Sequence, residues 1–356
     1  MELIVQPDDG VAPLLQLIKS AKKNIEMAIF RFDRRDLEKG LKAAVANGVK
    51  VNTLIADANH GGEKSLRKLE MRFLEAGMIV ARSGNDLFRY HDKVIVIDDR
   101  VLCVLSFNFT HIDIERSRGF AVVTEHPKWV AEASKLLESD SKRTPYAAGV
   151  DSFVVSPSNA RQSLGTFLRE ANKQLLIYDP KISDREMIRI LKDRAKAGVD
   201  IRIIGDVKAA LPCSKLSKMR LHTRTIIRDG DQAFIGSQSL RANELDHRRE
   251  VGLILSDSQI VKKLSETFES DWSSGIPQKS AEATSKKAQP SKPDPDKAMQ
   301  VLVEELHPIA ITVKKAVRKV VAEAGKEVLE DGQVKETVKK VVKKAVKQAV
   351  RQAIEG

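Results

Sequence analysis

Two kinds of apolar spacing alternate along this chain. Short continuous runs of Val, Ile, Leu and Ala suit strands buried on both faces. Between them, apolar residues recur every third or fourth position, as on helices that pack one face against a sheet. I-E-M-A-I-F from Ile25, V-N-T-L-I-A from Val51, L-L-I-Y from Leu175 and I-R-I-I-G from Ile201 read as strands. L-L-Q-L-I-K-S-A-K-K from Leu14 and S-L-G-T-F-L-R-E-A-N-K from Ser163 read as helices. Gly48 and Gly198 mark where the next helix of each series stops.

The order of elements repeats. Val5-Gln6-Pro7 returns as Val155-Ser156-Pro157, 150 residues later, and Gly48 and Gly198 keep that offset. Each series runs β-α-β-α-β, then a strand pair, then a closing helix, which predicts an α/β layer fold. The expected architecture is two pseudo-symmetric α/β/α halves, residues 1–147 and 148–275, packed around one shared site. The offset then drops from 150 to 131, so the first half carries 19 additional residues ahead of its strand pair. That surplus includes His60 to Gly77, which reads as a helix closed by Gly77. From residue 276 to 298 the chain is Lys, Ser, Ala and Pro with few bulky apolar residues, the composition of a flexible linker. Residues 299–356 follow as a basic amphipathic helical tail. There Val334, Val338, Val341, Val342, Ala345 and Val346 recur at helical spacing against Lys335, Lys339, Lys340, Lys343 and Lys344.

Charge narrows the partners. The 61 Lys and Arg exceed the 49 Asp and Glu by 12, which predicts a polyanionic partner. The tail is expected to contact an anionic membrane, a nucleic acid or a partner helix. Aromatic residues are 4%, so the core must be aliphatic. Cys103 and Cys213 form no C-x-x-C pair, and no disulfide or zinc framework is expected. The N-terminus has no signal-peptide pattern, and no apolar run approaches the ~20 residues of a membrane span. A cytoplasmic, monomeric catalytic unit with peripheral access to membranes is the expectation.

The chemistry lies in the second repeat. H-D-K-V-I-V-I-D from His91 to Asp98 returns as H-T-R-T-I-I-R-D from His222 to Asp229. Ser106 and Ser237 keep the 131 offset, as do Arg118 and Arg249. On a strand, His91 and Lys93, two apart, project to one face. With His222 and Arg224 opposite, two imidazoles and two cations converge on a space suited to a phosphoryl group. One histidine attacks phosphorus, the other protonates the leaving oxygen, and the cations hold the charged oxygens. This chemistry requires no metal and no cofactor. Arg118 and Arg249 either line that phosphate pocket or are solvated charges. His60, His111, His126, His247 and His307 have no repeat partner and read as surface residues.

This constellation resembles the phospholipase D superfamily, whose motif is His-x-Lys, four residues, Asp, six residues, Gly-Ser-x-Asn. The resemblance covers about residues 1–275. It implies a metal-independent phosphodiesterase working through a phosphohistidine on a phospholipid headgroup ester, by hydrolysis or transfer. A nuclease of the same mechanism and an inactive polyanion-binding scaffold are the alternatives. It also implies that Asp98 and Asp229 support local turns, and that Ser106, Asn108, Ser237 and Ser239 serve the substrate phosphate or support the site. Four positions depart from the pattern: Leu105 for Gly, Arg224 for Lys, Ser239 for Asn, and Gly119 where an orienting carboxylate belongs. Glu250, 28 residues after His222, stands at that carboxylate position in the second half. It is expected to hold His222 by its Nδ1, with Asp113 or Glu115 as substitutes in the first half. On that basis His222 is favoured as the nucleophile and His91 as the acid, with the reverse kept open.

Overall fold

The structure, a computed structural model, describes residues 1–56 and 62–278. The described residues all fall within one compact unit. The expected basic tail, and the expected linker from residue 279 onward, lie outside the described residues, as do His60 and His307.

The first series contains β1 (Glu2–Gln6), α1 (Ala12–Ser20), β2 (Asn24–Ile29), α2 (Arg35–Ala46), β3 (Lys50–Ile55), α3 (Gly62–Glu75) and β4 (Ile79–Arg82). It continues through β5 (Arg89–Tyr90), β6 (Val94–Ile97), β7 (Val101–Leu105), α4 (His111–Glu115), β8 (Ser117–Thr124) and α5 (Pro127–Lys142). The second contains β9 (Phe153–Ser156), α6 (Ala160–Arg169), β10 (Gln174–Ile182), α7 (Arg185–Lys196), β11 (Asp200–Val207), β12 (Cys213–Lys215) and β13 (Arg220–Leu221). It ends with β14 (Arg224–Arg228), β15 (Gln232–Gly236), α8 (Ala242–Asp246), β16 (Arg248–Leu255), α9 (Ser258–Ser273) and β17 (Ile276–Pro277).

Each series builds one mixed sheet. The first runs β1-β8-β7-β6-β2-β3-β4, and the second runs β17-β12-β11-β10-β14-β15-β16, with β9 also on β16. The parallel pairs β2–β3, β3–β4 and β10–β11 are each joined by a crossover helix, and the strand that follows each histidine, β6 or β14, pairs antiparallel with both its neighbours. β17 pairs with β12, and the Gln278 amide donates to Cys213 O at 2.9 Å, so the chain is still held where the linker was expected to begin.

The histidine strands explain why their sequence is apolar throughout. Along β6, Val94 and Val96 enter a core shared by both sheets, where Phe120, Phe153, Val155, Ile235 and Leu253 meet. Ile95 and Ile97 point the other way, into a second core with Leu14, Ile18 and Leu41 from α1 and α2. Successive strand side chains face opposite ways, so burial on both faces leaves no polar position. The second sheet has its own outer core, with Leu164, Phe167, Met187 and Leu191 from α6 and α7. α3, which fills part of the 19-residue surplus, ends in a Gly-capped turn: Gly77 has φ +81°, and the Met78 amide returns to Phe73 O at 3.1 Å.

Turns at the far end of each histidine strand are stapled identically. Asp98, at φ 53°, accepts from the amides of Lys22, Lys23 and Asn24 at 2.7–3.1 Å. Asp229, at φ 55°, accepts from Asn172, Lys173 and Gln174 at 2.7–3.2 Å. Those amides hold both carboxyls below the usual carboxylate range, against a burial effect that acts to raise them.

Candidate active site

Each histidine is carried on a segment that leaves its own half. β5 pairs in parallel with β16 of the other sheet, Arg248 opposite Arg89 and Arg249 opposite Tyr90. The His91 amide then donates to Arg249 O at 2.8 Å. Two residues on, Lys93 is back in its own sheet, its carbonyl accepting from the Leu105 amide at 3.0 Å. The second copy does the reverse. β13 pairs with β8, and the amides of His222 and Thr223 both donate to Arg118 O, at 3.1 and 2.9 Å. The expected strand position of His91 and Lys93 is therefore corrected. They lie on an extended link between sheets, just ahead of β6, and His222 lies just ahead of β14. Strand pairing ends where the chain crosses from one sheet to the other, and both imidazoles are presented at that crossing.

Glu250, expected beside His222, sits on His91. Its carboxylate oxygens lie 2.8 and 3.0 Å from His91 Nδ1, and its side chain is fully buried. The pairing of β5 with β16 brings this about, because it places the strand carrying Glu250 next to the first histidine. Lys93 Nζ lies 3.2 and 3.3 Å from the two ring nitrogens and also donates to the His91 carbonyl. The Phe30 ring meets the imidazole edge-on at 4.7 Å.

His222 faces a different carboxylate. Asp113 Oδ2 is 3.5 Å from Nε2, while His222 Nδ1 is buried with no hydrogen-bond partner. Asp113 is fixed by the Asn108 amide (3.0 Å), Asn108 Nδ2 (2.8 Å) and Arg220 Nη1 (2.6 Å). Of the two expected substitutes only Asp113 reaches the site. Glu115 instead pairs with Arg34 and, at 3.2 Å, with His111. No larger residue fits at Gly119, where a Cβ would stand 2.8 Å from the buried Phe107 ring.

The second cation has company that motif reading missed. Arg224 donates to His222 O at 2.6 Å and to Ser239 Oγ at 3.2 Å, and lies 3.9 Å from Glu244. Glu244 also accepts from the Ser239 amide (2.7 Å) and from Arg248 Nη1 (3.1 Å). Glu244 follows Asp113 by the same 131 residues, a signal the sequence contained.

Burial sets the electrostatics. His91 is 7% exposed, His222 6% and Lys93 0%. Burial, joined by the charge of Lys93, pushes His91 far below the usual imidazole range. Burial does the same to His222, against the pull of Asp113. The charges of Lys93 and Arg224 add to the lowering at both rings. Burial lowers Lys93 to about 8. It raises Glu250, with Lys93 and Arg248 opposing. Burial works to raise Asp113 as well, but His222, Asn108 and Arg220 outweigh it and hold the carboxyl at about 2.

Ser106 Oγ accepts from the Phe120 amide at 2.9 Å and Ser237 Oγ from the Val251 amide at 3.1 Å, tying β7 to β8 and β15 to β16. Arg118 and Arg249 neither line a phosphate pocket nor stand in solvent. Arg118 is buried in a bidentate pair with Asp271 (2.8 and 3.0 Å), and Arg249 in one with Asp140 (2.9 Å for both bonds). His111, His126 and His247 are exposed. Among the described residues, no group of three His, Cys, Asp or Glu is placed to hold a metal ion, and no helix is long and apolar enough to cross a membrane.

Comparison with known proteins agrees with this geometry. A family model described as cardiolipin synthase, PLD-like domain, matches residues 14–141 and 207–272. A probable cardiolipin synthase of Bacillus subtilis is 23% identical over 76% of this chain and 65% of its own length. The mitochondrial cardiolipin hydrolase of Mus musculus is 24% identical over 35% of this chain and 54% of its own. The chain thus spans less than two thirds of each of these relatives. Phosphatidylserine synthase of Haemophilus influenzae shares the fold, with a TM-score of 0.64 and 11% identity over 88% of this chain and 94% of that one. Polyphosphate kinase of Porphyromonas gingivalis also reaches a TM-score of 0.64, at 18% identity over 76% of this chain and 50% of that one. With its motif pair, its two crossed sheets and a family match over more than half its length, the chain belongs to the phospholipase D superfamily.

Proposed function

We propose that this protein is a phospholipase D-type enzyme that cleaves or transfers a phospholipid headgroup ester through a phosphohistidine on His91. The observation that carries this reading is the Glu250 carboxylate on His91 Nδ1. It fixes the proton on Nδ1 and leaves the Nε2 lone pair free to attack phosphorus. An N–P bond forms as the bond to the leaving alkoxide breaks, and His222 gives that oxygen its proton. The negative charge of the entering substrate raises an imidazole that burial lowers in the free site, which favours the protonated form that gives up this proton. Asp113 stabilises the resulting imidazolium. Water or an alcohol then attacks the phosphohistidine, with His222 taking its proton. Lys93 and Arg224 hold the phosphoryl oxygens. This order reverses the one favoured from sequence, because Glu250 backs His91 and not His222.

A lipid substrate is favoured over a nucleic acid because the two relatives named above are, by name, a probable synthase and a hydrolase of the phospholipid cardiolipin. Turnover in EDTA tests the reading, with anionic or choline phospholipid vesicles beside single-stranded DNA. His91→Ala and His222→Ala serve as controls, and a primary alcohol separates transfer from hydrolysis. Lipid cleavage lost in both variants is expected. DNA cleavage alone, lost in the same variants, would replace the lipid reading with the nuclease one. Activity that vanishes in EDTA and returns with a divalent ion would overturn the mechanism.

A further inference from the structure

Beside the site, the first half carries a basic groove of about 530 Å³ that uses none of the residues assigned to catalysis. It is lined by α2, by α3 and by the loop after β2. That loop ties it to the site, because Phe30 packs on His91 while Arg31 and Phe32 line the groove. Phe32 in turn packs against Phe109, next to Asn108. Six lining residues are basic (Arg31, Arg35, Lys39, Lys42, Lys68 and Arg72) and two are acidic, Asp33 and Glu38. Glu38 is already neutralised by Lys42 at 3.0 Å and Arg72 at 3.1 Å. Arg31, Arg35, Lys39 and Lys68 are exposed and make no ion pair with another described residue.

On the outer side of the same helix, Met71 is 51% exposed and Leu74 48%, three residues apart and so on one face. Arg67, Lys68 and Arg72 surround Met71 in a shallow depression. Two large apolar side chains held in water beside a ring of cations match an interfacial helix, with apolar groups for the acyl boundary and cations for the headgroups. A nucleic acid would reward the cations alone. α3 has no counterpart between β11 and β12, so the second half lacks this surface.

We propose that α3 and the groove beside it form a docking surface for an anionic lipid bilayer, which brings the mouth of the His91 site to the headgroup layer. The proposal deepens the lipid reading of the same site, but vesicle binding is measured without turnover, so each can fail separately.

The test uses the full chain and vesicles of phosphatidylcholine with or without phosphatidylglycerol. Three variants are compared: Lys39→Glu with Lys68→Glu, Met71→Asp with Leu74→Asp, and, as a charge-matched control, Lys262→Glu with Lys263→Glu on the exposed face of α9. The first two are expected to lower partitioning onto anionic vesicles about tenfold or more. The control should change it little, and all three should turn over a soluble diester as the parent does. Equal losses in the control would show general electrostatics and overturn the proposal. So would a Met71/Leu74 variant that binds normally while the Lys39/Lys68 variant loses single-stranded DNA binding, which would make the groove a nucleic-acid site. Loss of vesicle binding without any lipid turnover in the parent would sink the catalytic reading and leave the docking surface standing.

Discussion

The two halves share one frame and differ at the residue behind each histidine. Turn staples (Asp98, Asp229), strand ties (Ser106, Ser237) and buried pairs (Arg118–Asp271, Arg249–Asp140) match one for one. The frame differs at Glu250 and its counterpart Gly119. In the second half a carboxylate crosses to His91 Nδ1; in the first, Phe107 occupies the space next to Gly119, and Asp113 reaches His222 from α4. The cations differ too, since Lys93 is wholly buried and the Arg224 side chain is 12% exposed. A duplicated scaffold holds two imidazoles by the same backbone device, and in the proposed mechanism unequal carboxylates divide the labour between them.

The largest expected effect breaks that division outright. His91→Ala should lower turnover about 10,000-fold or more, as loss of a nucleophile does. In His222→Ala, a diester with a good leaving group needs no acid for the first step. A phosphoryl adduct should therefore accumulate on His91, read by mass spectrometry after alkaline quenching. An adduct on His222 in the reciprocal His91→Ala variant would reverse the roles.

Next in size is the carboxylate pair. Glu250→Gln keeps the shape but loses the charge that fixes the His91 tautomer, and kcat should fall on the order of 100- to 1,000-fold. Asp113→Asn should cost about tenfold, and mostly for poor leaving groups, because Asp113 supports an acid. Equal losses with every leaving group would remove the distinction between the halves.

Lys93 gives a pH test with opposite signs for activity and stability. Its ammonium is lowered to about 8 by burial, against ~10.4 in an unfolded chain. As pH rises through about 8, the phosphate loses its cation and kcat/KM should fall. Between 8 and ~10.4 the unfolded chain holds more protons than the folded one, so stability should rise over that window as the buried charge is relieved. Urea midpoints and kcat/KM measured over pH 7–10 check both, and Lys93→Met should abolish both trends.

Smaller again are the staples. Asp98→Ala and Asp229→Ala each strand several backbone amides and should cost about 1–3 kcal/mol in urea unfolding, with similar values for the two halves. Smallest is Arg224→Lys, which keeps the charge at a largely buried site and should shift turnover only a few-fold.

Much of this was legible before any coordinates. The 150- and 131-residue offsets disclosed two copies of one α/β series, and continuous apolar runs marked strands buried on both faces. Histidine, cation and aspartate in one frame pointed to the phospholipase D superfamily, which the family match bears out. The link that carries His91 and Lys93 reads as strand in the sequence, because H-D-K alternates like one and nothing local reveals that β5 pairs with the opposite sheet. Glu244 escaped notice although it keeps the 131 offset from Asp113, since it lies outside the motif.

What the sequence determined by itself was therefore everything periodic or repeated: the layers, the duplication, the paired family motif and the turns that hold it. Which carboxylate meets which histidine was decided only by tertiary structure. The deciding step is a two-residue strand crossing, Arg89–Tyr90 onto β16 and Arg220–Leu221 onto β8. Backbone hydrogen bonds between segments more than 100 residues apart leave no periodicity in the chain, so the partner of His91 could be found only after both sheets had closed around it.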